Sequence, residues 1–376
     1  MDEAWQSDGI TLHCGDSLAV LKSLPAESVQ CCVTSPPFFH LRDYGMAGQI
    51  GLEPTLAEYI TALVDVFREV RRVLRKDGTA WVEMGDCYTG GRGGGWKGDE
   101  HGQQHKEPIR ELGPKQLLGV PWRLAFALQD DGWVLRRDIV WHKTNAMPES
   151  VQDRPSCSHT FIFLLARSAR YHYDGEAIKE DAAVGYNGST FTGGKTEACR
   201  PGTGQGERTE LPTRNCRDVW SIPTEPLPIA HFAAFPTELA RRAILAGTSE
   251  RGACPVCGKP WVRVASRLTE AKEETTDRTK AASLNRTHRQ FSGGFAPVLT
   301  LEAGWAPACT HDAAPVPCVV LDCFSGAGTT LLVANRLGRH GVGIELNPEY
   351  WRMAQSRLVG DAPLLHMHTG VASGQG

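Results

Sequence analysis

Five residues, Thr34-Ser35-Pro36-Pro37-Phe38, are the strongest chemical signal in the chain. They follow the mostly apolar, β-prone run Val29 to Val33. The corner therefore lies at the carboxyl end of a strand, where open α/β sheets hold their ligands. Proline breaks helices and disfavours the α conformation in the residue before it, so carbonyls at such a corner escape helical bonding. A serine hydroxyl and a free carbonyl can then face one space, with Phe38 beside them. That set suits a planar group bearing an NH2, offering two acceptors for its hydrogens and a ring to stack on. Standing alone, a Pro-Pro corner is an ordinary turn.

A second motif, Val319 to Thr330, gives the corner its meaning. It reads as a buried strand, a glycine turn, and a helix from Thr329 to about Leu337, followed by a strand over Gly341 to Leu346. Gly326 and Gly328 allow close backbone approach, and the helix N-terminus at Thr329 and Thr330 offers free N–H groups to a carboxylate. Glu345 stands 23 positions after Asp322, at the end of the next strand, where an acid accepts hydrogen bonds from ribose hydroxyls. A dinucleotide fingerprint would place glycine at position 331, which is Leu331, and a P-loop would place lysine after Gly328, where none stands. Neither pyrophosphate signature is present. A nucleoside bearing a carboxylate is the better ligand, and S-adenosylmethionine fits.

Asp-x-Phe-x-Gly-x-Gly-Thr-Thr at 322–330, with Thr-Ser-Pro-Pro-Phe at 34–38, resembles the amino-methylating DNA methyltransferases of the permuted β group. In that group the catalytic motif precedes the cofactor motif, as Ser35 precedes Asp322 here. The resemblance spans most of the chain outside two insertions. It implies an α/β fold, a Rossmann-like methyltransferase sheet with helices on both faces, carrying inserted target-recognition and zinc-knuckle segments. For the donor it implies Asp16, in His13-Cys14-Gly15-Asp16-Ser17, at the adenine end. Thr34, Asp322, Phe324, Gly326, Gly328, Thr329, Thr330, Glu345, Leu346 and Asn347 complete the pocket. His231, Phe235 and Pro236, with the helix after them, wrap the methionine end. Within Ile139 to Asn145, Trp141, Lys143 and Asn145 join Phe38 in holding an extruded base. Cys323, where the group usually has proline, is a departure at the cofactor pocket.

The implied reaction is site-specific methylation of the N4 amine of cytosine in DNA, within a restriction-modification system. Ser35 stands where adenine enzymes more often have Asp or Asn, which is similar to the cytosine-N4 subgroup. That amine is a poor nucleophile, because its lone pair is delocalised into the ring. Ser35 Oγ and the Pro36 carbonyl are expected to accept its hydrogens, with Pro37 fixing the corner and Phe38 stacking on the base. Positioning for in-line transfer then supplies much of the rate, and the target must leave the duplex to be reached. Adenine N6, RNA and a protein amide remain alternative targets. A non-catalytic nucleic-acid-binding module would show a damaged donor site, whereas Asp16, Asp322, Gly326, Gly328 and Glu345 are all in place. Carbon-5 chemistry would need a cysteine nucleophile; Cys318 leads into the cofactor strand and reads as core, as do Cys31 and Cys32.

The elements that must position these residues follow from local pattern. Thr55 and Glu58 are spaced as a capping box, and a helix carries Leu56, Tyr59, Ile60, Leu63, Val64, Phe67, Val70 and Leu74 to a stop at Gly78. Strands are expected over Thr79–Met84, Trp133–Lys143 and Thr160–Ala166, and helices over Pro121–Gln129 and Thr237–Leu245, the last closed by Gly247. Residues 88–113 are glycine-rich, with Arg92, Trp96 and Lys97 suited either to a mobile surface loop or to a flap over DNA. Residues 183–217 are polar and read as disordered or as ordering on binding.

The organisation expected is a catalytic half over 1–150, a target-recognition region over 151–230 and a cofactor-wrapping helix over 231–249. An insertion over 250–316, a cofactor-binding half over 317–362 and a flexible tail over 363–376 follow. The insertion opens with Cys254-Pro255-Val256-Cys257-Gly258 and ends near Cys309-Thr310-His311, a candidate structural zinc site; the plain alternative is free thiols on a loop.

Composition bounds the rest. A chain of 376 residues can bury one substantial core with a smaller lobe, and 41% hydrophobic with 22% charged residues is ordinary for a globular protein. No basic N-terminal stretch precedes an apolar run and no stretch of about 18 apolar residues occurs, so no membrane span is expected and a cytoplasmic location is. Twelve cysteines then point to reduced thiols or a metal. The net charge of −3 gives no support to nucleic-acid binding, yet residues 251–290 carry nine Lys/Arg against four acids, either a solvated face or a DNA-contacting one. Double-stranded DNA is the expected partner; a homodimer and a cognate restriction endonuclease are left open.

Overall fold

A computed structural model describes residues 3–89, 112–181, 213–226, 235–267 and 300–361. The chain begins with β1 (Glu3–Ser7), β2 (Ile10–Cys14), α1 (Ser17–Ser23), β3 (Val29–Thr34), α2 (Leu56–Val73) and β4 (Leu74–Met84). It continues through α3 (Val120–Asp130), β5 (Val134–His142), β6 (His159–Ala166), β7 (Glu180–Asp181), β8 (Thr213–Arg214), β9 (Val219–Ser221) and α4 (Thr237–Gly247). The hairpin of β10 (Trp261–Arg267) and β11 (Thr300–Pro307) precedes β12 (Val319–Asp322), α5 (Thr329–Arg336), β13 (His340–Glu345) and α6 (Pro348–Asp361).

Nine of these strands form one sheet in the order β1-β2-β13-β12-β3-β4-β6-β5-β9. Strands β2, β13, β12, β3 and β4 run parallel, while β6 is antiparallel to both β4 and β5. From β12 the chain crosses through α5 to β13 on one side; from β3 it crosses through α2 to β4 on the other. Adjacent β12 and β3 thus lead away in opposite directions. That is a topological switch point, and a crevice opens at the carboxyl ends of the two strands.

Period-two alternation distributes the core between the faces. Cys32, Ala80, Val82 and Met84 pack with α1, α2 and α3. Cys31, Val33, Trp81 and Val320 pack on the other face with α4 and the end of α5. Helix α6 closes the edge, where Trp351, Ala354 and Leu358 meet Ile10 and Leu12. The α/β sheet with helices on both faces is as expected. Among the described residues, no helix is long and apolar enough to cross a membrane.

The α2 capping box forms as read, with Thr55 Oγ1 accepting from Glu58 N–H and Glu58 accepting from Thr55 N–H. Its end does not. The helix stops at Val73, Leu74 is already extended, and Gly78 lies inside β4. Gly78 is there for close packing, since a Cβ would stand 3.0 Å from the Gln30 carbonyl oxygen. Gly247 likewise ends α4 from within, at a place where a Cβ would come 2.6 Å from Cys31 Sγ.

Residues 151–230, read as a target-recognition region, contribute β6 and β9 to the central sheet. The Arg92, Trp96 and Lys97 flap, most of the polar 183–217 stretch, the tip of the insertion and the 363–376 tail lie outside the described residues.

Candidate active site

The two motifs meet at the switch point. Thr34 Oγ1, the last side chain of β3, donates to Asp322 Oδ1 at 2.7 Å, at the end of β12. Thr330 Oγ1 donates to Asp322 Oδ2 at 2.7 Å and the Phe324 N–H donates to Oδ1 at 3.1 Å. Burial pushes the Asp322 carboxyl up to about 6 against the pull of these three donors. Asp322 is therefore a brace beneath the crevice, tying the glycine turn, α5 and β3 together.

The corner after Thr34 has one partner that no motif marks. In the parallel register Thr34 sits opposite Val82, so the next pair is Ser35 and Glu83. Ser35 Oγ donates to Glu83 Oε2 at 2.6 Å, and Glu83 is 5% exposed. With its proton committed to the carboxylate, Ser35 Oγ keeps its lone pairs for an incoming donor. The Pro36 carbonyl takes no hydrogen bond from the described residues, while the Pro37 carbonyl is occupied by the Tyr59 hydroxyl at 2.7 Å. The Phe38 ring rests on Gly85, where a Cβ would stand 2.6 Å from Cε2. It stays half-buried at the edge of the core.

On the other side of β12 lies a second set. Gly326 and Gly328 adopt φ +50 and +73, and Gly328 caps α5. Thr329 is buried and its hydroxyl accepts from Arg357 at 2.8 Å, which steadies the first turn of the helix. Glu345, at the end of β13, accepts from the Gly326 and Asn347 N–H groups at 2.8 Å each. Burial, first, and the nearby Asp322 raise its carboxyl to about 7, although backbone donors oppose this. Asp16 follows β2, which lies beside β13, and Gly15 N–H donates to the Glu345 carbonyl at 2.9 Å. The Asp16 carboxylate caps α1 and is exposed at this rim. Leu346 follows Glu345, and Asn347 caps the start of α6 through the Glu349 N–H at 2.8 Å. Two acids that accept, and backbone N–H groups at the start of α5 that donate, suit hydroxyls, an amine and a carboxylate on one ligand. S-adenosylmethionine presents these groups.

Other expected residues fall elsewhere. Trp141 is a correction: it is 3% exposed in the core of the α4 face, and its indole N–H donates to the Ile222 carbonyl at 2.8 Å. The Lys143 ammonium lies 4.6 Å from the centre of its ring. Asn145 is spent on Thr224, accepting from its N–H at 2.7 Å and donating to its carbonyl at 3.1 Å. The three form a brace between the end of β5 and the segment after β9. Phe235 is buried and Pro236 precedes α4, whose first N–H at Thr237 donates to Glu225 at 3.0 Å. His231 lies outside the described residues. Burial raises the thiols of Cys31 to about 12 and Cys318 to about 11, and Cys318 precedes β12 at the end of the strand remote from the crevice. Neither is a nucleophile. Cys254, Cys257, Cys309 and His311 do converge, with their ligand atoms within 4.8 Å of one another.

Comparison with known proteins places the chain in a family. The N6/N4 methyltransferase family model, described as DNA methylase, matches residues 29–254 and 317–356, more than half of the chain. The type II methyltransferase M.Cfr9I of Citrobacter freundii is 39% identical over 364 residues, 96% of this chain and 91% of the relative. M.SmaI of Serratia marcescens, also a type II methyltransferase, is 38% identical over 350 residues, 92% and 89% of the two chains. The solved PvuII DNA methyltransferase, described as cytosine-N4-specific, shares the fold with a TM-score of 0.53 at 17% identity, over 94% of this chain and 90% of that one. The chain belongs to the N6/N4 DNA methylase family, and is an S-adenosylmethionine-dependent DNA methyltransferase.

Proposed function

We propose that the protein is a permuted β-group enzyme that methylates the exocyclic N4 amine of a cytosine flipped out of duplex DNA. The observation that supports this reading above others is the Ser35 hydroxyl, held as a donor to Glu83 beside the Pro36 carbonyl. S-adenosylmethionine supplies an electrophilic methyl group on a sulfonium. Ser35 Oγ and the Pro36 carbonyl accept the two amine hydrogens, which turns the nitrogen lone pair out of conjugation and toward that methyl group. Pro37 holds the corner, and Phe38 lies against the base. Formation of the carbon–nitrogen bond is matched by loss of the carbon–sulfur bond, whose electron pair stays on the departing thioether, while the amine sheds one proton to Ser35 Oγ, which passes its own to Glu83. Glu345 accepts from the ribose hydroxyls, Asp16 faces the adenine end, and the N–H groups at Thr329 and Thr330 meet the carboxylate. The relatives are type II methyltransferases, and on that ground the chain serves as the modification partner of a cognate endonuclease.

Incubation with tritiated S-adenosylmethionine and unmethylated duplex DNA, followed by digestion to nucleosides, tests the target. Label in N4-methylcytosine is expected. Label in N6-methyladenine would move the reading to the other amine, and transfer to RNA alone would overturn the substrate.

A further inference from the structure

We propose that Cys254, Cys257, Cys309 and His311 bind one zinc ion, which closes the open end of the β10–β11 hairpin. The family match stops at 254 and resumes at 317, so three of the four ligands lie in a segment that the family's common core lacks. Within it the register pairs Trp261 with Pro307 at the mouth of the hairpin. Cys257 stands just before that pair and Cys309 just after it, so the fold carries the two halves together across 51 intervening residues.

The knuckle is built by the backbone. Gly258 N–H donates to the Cys254 carbonyl at 2.7 Å, Cys254 N–H donates to the Lys259 carbonyl at 2.9 Å, and Gly258 takes φ +64. Ala253 bridges to both Pro260 and Val316, which draws the start and end of the insertion side by side. Cys254 Sγ and His311 Nδ1 are 3.7 Å apart. Ligands at about 2.3 Å (sulfur) and about 2.0 Å (nitrogen) from a tetrahedral zinc stand about 3.5 Å from one another. All three sulfurs are free of disulfides. Four protein ligands leave no open coordination position, so the ion is structural.

A two-stranded hairpin is marginal in water by itself, and this one carries a register shift at Val264/Ala265. The metal supplies the missing closure. Its place in the fold separates it from the chemistry. Arg75 donates to the Cys257 carbonyl, and Arg263 pairs with Asp174 at 2.9 Å and Glu250 at 2.8 Å. Arg75 is the second residue of β4, whose first residue pairs with the start of β3, while Ser35 follows the end of β3. A six-residue strand spans about 20 Å, so the ion lies at the opposite end of the sheet from the donor crevice.

Elemental analysis of the tag-free full chain, purified without chelator, is expected to find about one zinc per molecule. Cobalt substitution should give thiolate-to-metal absorption and tetrahedral d–d bands. Cys257→Ser and Cys309→Ser should lose both metal and bands, whereas the exposed Cys157→Ser keeps them. Stripping the zinc should expose the insertion to limited proteolysis and leave S-adenosylhomocysteine affinity within about twofold, as distant sites act independently. A wild-type chain that is metal-free and takes up no added zinc would overturn the proposal. So would a Cys257→Ser/Cys309→Ser chain that retains the full complement.

Discussion

Ser35 is half-buried beside a buried carboxylate, and that pairing decides what its hydroxyl can do. A hydroxyl free to rotate would donate to the ring or to water as readily as accept; one tied to Glu83 accepts. Ser35→Ala is therefore expected to lower turnover by roughly 10²–10³. S-adenosylhomocysteine affinity, read by calorimetry, should stay nearly constant, because among the described residues the Ser35 hydroxyl is bonded to Glu83 and to no donor-site side chain. Equal losses in both would remove Ser35 from the chemistry. Glu345 sets a pH dependence of defined sign. Its carboxyl is raised to about 7 by burial, above the free value of about 4.3. Between these two values the folded chain holds a proton that the unfolded chain has released, so this group's contribution to stability falls as pH rises. Donor binding runs the other way, since ribose hydroxyls require the ionised acceptor. Affinity should rise up to tenfold per pH unit below about 7, and Glu345→Gln should flatten that slope in a calorimetric series.

At the scale of elements, the crevice depends on how α4 seats against β3 and β4. Gly247 makes that approach: beyond Cys31 Sγ, a Cβ would stand 2.9 Å from Thr79 Oγ1 and 3.1 Å from Trp81 Nε1. These neighbours are buried on all sides and cannot yield. Gly247→Ala is expected to cost about 1–3 kcal/mol by overpacking. It should lower the melting temperature by about 1–4 °C in calorimetry, with donor affinity changed far less. Glycine here reads in the sequence as a helix stop, and the helix does end nearby, but for a different reason. Stop signals and close-packing sites use the same residue, and only the neighbouring elements distinguish them. The capping box at Thr55 needed no such help, because both partners lie within one turn.

At the scale of the whole molecule, the sheet unites residues from Glu3 to Glu345. The hydrogen bond between Thr34 and Asp322 spans 288 positions. Both ends of that bond were legible, because each belongs to a strand with a marked corner or glycine turn after it. Glu83 was not: a lone acid in an apolar strand carries no pattern, and its role comes from register with β3. Trp141 was misread for the converse reason, since an aromatic in a strand looks the same whether it faces a ligand or a core. The sequence by itself determined the local pieces, namely the Pro-Pro corner, the glycine turn, the helix start and the first half of the cysteine knuckle, because those interactions span a few residues. Only the tertiary structure decided which side chains the pieces bring together. Strand order and register set distances between residues hundreds of positions apart, and these are properties of the packed sheet rather than of any segment in it.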